Sequence, residues 1–215
     1  MIRMISFEGG DGSGKTTQIN LLAKHLTTQG NNCLLTREPG GTTLGKLIRR
    51  VVVESTEEKI EYHSELFLYL ADRAQHVCKV IQPTIQSDRL LLCDRFTDST
   101  LAYQGYGRGV DLALLRRMNQ LASGGIEPDL TFLLTCPVEV ALPRAIQRID
   151  RQKSGGSRED RFESEDLEFH ERVRKGFLEL AQAEPGRFVI LDASPPILEI
   201  HEEIKKIVDQ KLREP

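Results

Sequence analysis

Residues 2–18 read I-R-M-I-S-F-E-G-G-D-G-S-G-K-T-T-Q, and the fold turns on this stretch. Ile2 to Phe7 is an apolar run of strand length. Behind it, Gly9-x-x-x-x-Gly14-Lys15-Thr16 has the GxxxxGK[ST] spacing of a phosphate loop, and Lys15–Gln29 has helical patterning. Glycines let successive backbone N–H groups turn inward around phosphate oxygens, and the helix N-terminus adds partial positive charge. Gly9, Gly10, Asp11, Gly12, Ser13, Gly14, Lys15, Thr16 and Thr17 are therefore the expected cradle of ATP. Lys15 would bridge the β- and γ-phosphates, and the Thr16 hydroxyl would ligate Mg²⁺. A carboxylate at Asp11, in the middle of an anion cradle, needs a reason of its own.

Outward from this loop, short apolar runs alternate with longer amphipathic ones. Cys33–Thr36, Leu90–Cys93, Leu130–Thr135 and Phe188–Leu191 read as further buried strands. Helices are expected over Thr43–Val53, Tyr62–Gln86, Leu112–Ala122, Val138–Asp150, Glu163–Ala183 and roughly Ile197–Lys211. This alternation predicts a three-layer α/β/α fold: a five-stranded parallel sheet covered by helices, with ligands at the carboxyl ends of the strands. Leu90-Leu-Leu-Cys-Asp94 ends such a strand in a carboxylate, so Asp94 is a second candidate for Mg²⁺. The 215 residues fit one domain, with a polar, glycine-containing lid insertion at about 144–162.

Composition narrows the partners. A net charge of -3 gives no bulk reason to expect nucleic acid or membrane binding. No run approaches a membrane span, and Met1-Ile2-Arg3 leads into a strand rather than a signal peptide, so a cytoplasmic protein is expected. The 4 cysteines lack CxxC spacing and are expected to be buried, reduced thiols.

A phosphate loop alone does not separate switch GTPases, motor ATPases and small-molecule kinases. Arginines do. Arg37, Arg73 and Arg95 each follow or face a strand end, where forked guanidinium donors suit a second phosphate. If that anion is a phosphate monoester, its attacking oxygen is already ionised near neutral pH. Repulsion between two polyanions is then the main barrier, and cations with in-line positioning are the main catalytic devices. Arg144, Arg148, Arg151, Lys153, Arg158 and Arg161 crowd the glycine-containing loop, as a closing basic flap would require. No NKxD-like guanine-reading motif is visible.

Four motifs in order then resemble the bacterial thymidylate kinases: F-E-G-G-D-G-S-G-K-T-T-Q (Phe7–Gln18), R-E-P-G-G-T (Arg37–Thr42), L-F-L-Y-L-A-D-R (Leu66–Arg73) and D-R-F-T-D-S-T-L-A-Y-Q-G (Asp94–Gly105). D-R-F-E (Asp160–Glu163) is similar to the end of that family's lid. The resemblance implies phosphoryl transfer from ATP to dTMP. It implies that Arg37 and Arg95 grip the acceptor's 5′-phosphate, that Tyr69 lies on the thymine, and that Arg73 donates to its O4. Ser99 would line the acceptor site, Thr100 would face the N3 edge, Tyr103 would crowd the sugar 2′ position, and Gln104 would help close the site. It turns Asp11 toward the acceptor's 3′-hydroxyl. The phosphate loop has no arginine between Gly9 and Lys15, so the lid is expected to supply one. Counting from Ala141-Leu142 favours Arg148; counting back from Asp160-Arg161 points to Arg151 or Arg158. A homodimer is implied, through the helices around Tyr62–Gln86 and Leu112–Ala122. Within the same class, dUMP or UMP is the alternative acceptor, since one methyl group discriminates by only ~1–3 kcal/mol.

Overall fold

The computed structural model describes residues 2–54, 58–87, 89–152 and 161–213. Five strands, β1 (Met4–Glu8), β2 (Cys33–Arg37), β3 (Leu90–Asp94), β4 (Leu130–Thr135) and β5 (Phe188–Asp192), form one sheet in the order β2-β3-β1-β4-β5, every pair parallel. The helices are α1 (Lys15–Thr28), α2 (Thr43–Val53), α3 (Tyr62–His76), α4 (Gln82–Gln86), α5 (Thr97–Thr100), α6 (Leu112–Ser123), α7 (Val138–Gln152), α8 (Leu167–Ala183) and α9 (Ile197–Arg213).

Side chains alternate across the sheet and so divide the core in two. Ile5, Phe7, Leu90, Leu92, Leu130, Phe132 and Leu134 pack with Ile19, Leu22 and Leu26 of α1 and Ile204 and Val208 of α9. From the opposite face, Leu133 meets Leu66, Leu101, Tyr103, Phe169 and Phe177, while Met4, Leu91 and Cys93 meet Val77, Ile81 and Phe96. A strand buried on both faces reads as a continuous apolar run, which is why these segments show little alternation in sequence. The expected layers and parallel sheet are present.

Some expectations are corrected. The helical run over 62–86 contains a π segment, Val77–Ile81. The helix expected to begin at Glu163 begins at Leu167, because the Asp166 side chain accepts from Phe169 N–H at 2.6 Å and caps it there. A helical stretch was missed altogether: α5 continues into a π segment, Leu101–Gly107. Its two glycines conceal it, yet tight packing selects them. A Cβ on Gly105 would lie 2.5 Å from Leu112 Cδ2, and one on Gly107 2.7 Å from the Phe169 ring. The cysteines are unpaired, but only Cys93 and Cys136 are buried; Cys33 is half-buried and Cys78 exposed on the first π segment. Among the described residues, no helix is long and apolar enough to cross a membrane.

β1 is central, and the chain passes from β3 on one side of it to β4 on the other. Such a reversal of strand order opens a crevice at the carboxyl edge, and the phosphate loop lies in it.

Candidate active site

The loop from Gly9 to Gly14 has φ of 133°, 81° and 91° at Gly9, Gly12 and Gly14, a region that favours glycine. Gly9 and Gly12 also touch neighbouring backbone, since a Cβ on either would meet the carbonyl oxygen of Leu134 or Ala141 within about 2 Å. Lys15 opens α1 and folds back over the loop, donating to the carbonyls of Gly9 (2.9 Å) and Gly10 (2.7 Å). Burial, helped by the Arg95 charge, lowers its ammonium to about 8. A bound polyphosphate would raise it again and draw the chain outward. Thr16 Oγ1 donates to Asp94 Oδ2 at 2.7 Å, so the two expected Mg²⁺ oxygens already touch.

Arg95 is the one non-glycine residue with positive φ (71°) among the described residues. That conformation costs roughly 1–2 kcal/mol, and it turns the guanidinium toward the loop. Its Nη2 donates to Asp11 Oδ1 (2.7 Å) and Tyr103 OH (3.1 Å), and its Nη1 to Gly9 O (3.1 Å) and Ser99 Oγ (3.0 Å). Tyr103 OH in turn donates to Asp11 Oδ2 at 2.6 Å. Burial alone would raise the Asp11 carboxyl, but the Arg95 charge, then Lys15, hold it well below the usual carboxylate range. Asp11 therefore stays ionised and grips Arg95.

Arg73 is almost wholly buried, and all three of its guanidinium nitrogens donate to protein acceptors. Nε donates to Glu38 Oε2 (2.8 Å), Nη1 to Thr100 Oγ1 (2.9 Å) and Asn119 Oδ1 (2.7 Å), and Nη2 to Phe96 O (3.0 Å) while lying 2.8 Å from Glu38 Oε2. The second Glu38 oxygen meets His76 Nδ1 at 2.9 Å. Gln104 donates to the buried Glu65 at 2.7 Å, and Glu65 also pairs with Arg161 at 2.7 Å.

Two hollows result. The smaller, about 640 Å³, is lined by Tyr69, Arg73, Phe96, Ser99, Thr100, Tyr103, Gln104 and Phe162 among others. The larger, about 2110 Å³, holds Gly12 to Gln18, Arg37, Asp94, Arg144, Arg151 and the turn Ala193–Ile197. Asp11, Glu38, Arg49, Arg95 and Arg148 line both. The sequence-derived acceptor residues thus gather in the smaller hollow, except Arg37, which is exposed in the larger one. Arg148 stands at the junction, donating to Glu163 Oε1 at 3.1 Å. Arg151 is in the larger hollow only, and Arg158 falls outside the described residues.

Sequence reasoning placed Arg49, Glu163 and Glu8 within motifs without giving them a role, and it missed the Ala193–Ile197 turn. Burial and then Asp11 push the Glu163 carboxyl up to about 7. For Glu8 the signal was present, a carboxylate ending an apolar strand, but its partners lie far away in sequence.

The family model described as Thymidylate kinase matches residues 7–204. A thymidylate kinase of Geotalea uraniireducens (strain Rf4) is 48% identical over 210 residues, 98% of either chain. One from Geotalea daltonii is 53% identical over 188 residues, 87% of each chain. Among solved structures, the crystal structure of thymidylate kinase from Ehrlichia chaffeensis superposes with a TM-score of 0.75 at 35% identity, covering 96% of this chain and 98% of that one.

Proposed function

This chain belongs to the thymidylate kinase family, and from that premise we propose how its residues carry the reaction ATP + dTMP → ADP + dTDP. The observation that carries the reading is the junction of the two hollows, where Arg95, Arg148, Arg49 and Asp11 line both. A donor phosphoryl group entering from the loop side and an acceptor phosphate from the other side would meet there, in line, among guanidinium groups that offset their repulsion.

In this reading the triphosphate replaces the Gly9 and Gly10 carbonyls as the partner of Lys15, while the ATP base end extends toward Ala193–Ile197. Arg95 and Arg37 hold the acceptor phosphate. Arg148 supplies the lid cation; Arg151, in the larger hollow, is the alternative among the described residues. Tyr69 covers the thymine, and Tyr103, braced by the edges of Phe162 and Phe177, fills the space a 2′-hydroxyl would need. Arg73 can reach O4 only by exchanging one of its present acceptors, or through Thr100. The Thr100 oxygen accepts from Arg73 and keeps its own proton to give.

Thr16 and Asp94 offer a hydroxyl and a carboxylate in contact, a donor set suited to Mg²⁺, which takes few protein ligands and completes its shell with phosphate and water. Bound there, Mg²⁺ would neutralise charge on the phosphates. We assign the protein to the cytoplasm, where unpaired cysteines are the rule, and to a homodimer. Supporting the dimer, Phe67 of α3 and Leu114 and Leu121 of α6 are exposed, and α2 adds Leu44, Leu47 and Val51.

The test is ADP release with ATP and a panel of monophosphates. dTMP should stimulate it far above ATP alone, with dUMP weaker and UMP weaker still. A rate independent of any monophosphate would end this reading.

A further inference from the structure

Glu8 has no part in the scheme above, yet its carboxylate is fully buried beside the reaction centre. It ends β1, immediately before the phosphate loop. Its Oε1 accepts from Phe96 N–H at 2.6 Å, and its Oε2 accepts from Ser99 Oγ at 2.5 Å. Both partners bear on Arg95: Phe96 follows it in the chain and Ser99 Oγ accepts from its Nη1. The Arg95 N–H is held by Phe7 O at 3.0 Å, so residues 7 and 8 of one strand grip two consecutive N–H groups around the positive-φ residue. On the side-chain route, Ser99 gives its hydroxyl proton to Glu8 and thereby presents its oxygen to Arg95 Nη1 at 3.0 Å.

We propose that Glu8 is the positioning residue of Arg95: it fixes the left-handed backbone through Phe96 and the guanidinium plane through Ser99, so that the fork is aimed before substrate arrives. A neighbouring acid does not share this role. Asp98 is engaged by Arg187 through two parallel bonds of 2.7 and 2.9 Å, so both of its oxygens are committed to Arg187 and not to Arg95. Burial and the nearby Asp98 push the Glu8 carboxyl upward, a burden that a purely structural position would avoid with an apolar residue of similar size.

The proposal rests on the phosphoryl-transfer reading, and a double-mutant cycle tests it. Glu8→Gln keeps the volume but turns one acceptor oxygen into an amide N–H₂ donor, which leaves either the Phe96 N–H or the Ser99 hydroxyl without its present acceptor. The expected result is a fall in kcat for dTMP phosphorylation of up to about 10²-fold, with KM for ATP unchanged. In an Arg95→Ala background the same substitution should have no further effect. Ser99→Ala, which cuts only the side-chain route, should give a smaller loss that also vanishes in that background. Equal fold losses in both backgrounds, or a Glu8→Gln turnover equal to wild type, would overturn the proposal. Should Glu8→Gln fail to fold, the Ser99→Ala and Arg95→Ala pair decides by the same criterion: non-additive losses support it and additive losses overturn it. Wild-type enzyme in the same assay isolates the underlying reading. If it shows no dTMP-dependent ADP release, that reading falls and takes the positioning role with it.

Discussion

Asp11 shows how a single carboxylate can belong in an anion cradle. Its oxygens are occupied by Arg95 and Tyr103, so in the proposed function its charge is directed at the arginine that would hold the acceptor rather than at the triphosphate. Replacing it by alanine should release Arg95 and cost about 10²-fold in kcat/KM for dTMP, comparable to losing one preorganised electrostatic group. ATP affinity, measured by calorimetry, should stay near wild type; retained efficiency with dTMP would contradict the role. A second residue makes a stability argument. Asp72 is fully buried; one carboxylate oxygen accepts from Gly40 N–H at 3.2 Å and the other has no partner. Burial and Glu38 push its carboxyl up to about 6, against the opposing pull of Gly40 N–H, His76 and Arg73. A carboxyl raised on folding stabilises the protein below its unfolded pKa near 4 and loses that contribution as pH rises through about 6. The loss is at most about 3 kcal/mol. Asp72→Asn lacks this term, so its melting temperature relative to wild type should climb between pH 4 and 6 and then level off. A constant difference across that range would show that Asp72 does not titrate this way.

At the scale of elements, the π segment Leu101–Gly107 carries Tyr103 and Gln104 into the lining of the smaller hollow and lies along α8. A π segment inside a helix is common at functional sites, since it re-aims side chains. Its seat depends on Gly176 of α8, where an added Cβ would come within 2.5 to 2.7 Å of Tyr106 atoms. Gly176→Ala should therefore destabilise through overpacking by about 1–3 kcal/mol, partly offset by about 1 kcal/mol of helix propensity. The measurable signs are a melting temperature lower by a few degrees and a raised KM for dTMP with that for ATP unchanged. A more stable variant would place Tyr106 elsewhere. Just before α8, Arg161 ties its segment to α2 and α3, donating to Val52 O at 2.6 Å and pairing with Glu65.

For the whole molecule, the apolar surface of α2 is the feature that an isolated chain leaves unexplained. Leu44, Leu47 and Val51 recur at helical spacing and are 44%, 55% and 49% exposed, with Phe67 of α3 at 57%. A contiguous exposed apolar face marks an association surface. Leu47→Glu should convert a dimer to a monomer in sedimentation equilibrium. An unchanged mass would move the interface off α2.

The sequence by itself determined the loop, the succession of strands and helices and the place of that loop at the sheet's carboxyl edge, and it named most of the candidates that line the smaller hollow. Each of these is written in contiguous residues, because a phosphate loop or a buried strand is a local pattern of backbone conformation and hydrophobicity. Tertiary structure alone decided what those residues touch. Glu8 and Ser99 are 91 positions apart, Asp11 and Arg95 84, and Arg73 and Asn119 46, and no periodicity couples such pairs. It also decided that Arg73 arrives with all three guanidinium nitrogens engaged and that Arg49 and Arg148 line both hollows. A buried charge takes its role from partners that folding brings together, since only in a site shielded from water do those few hydrogen bonds outweigh desolvation.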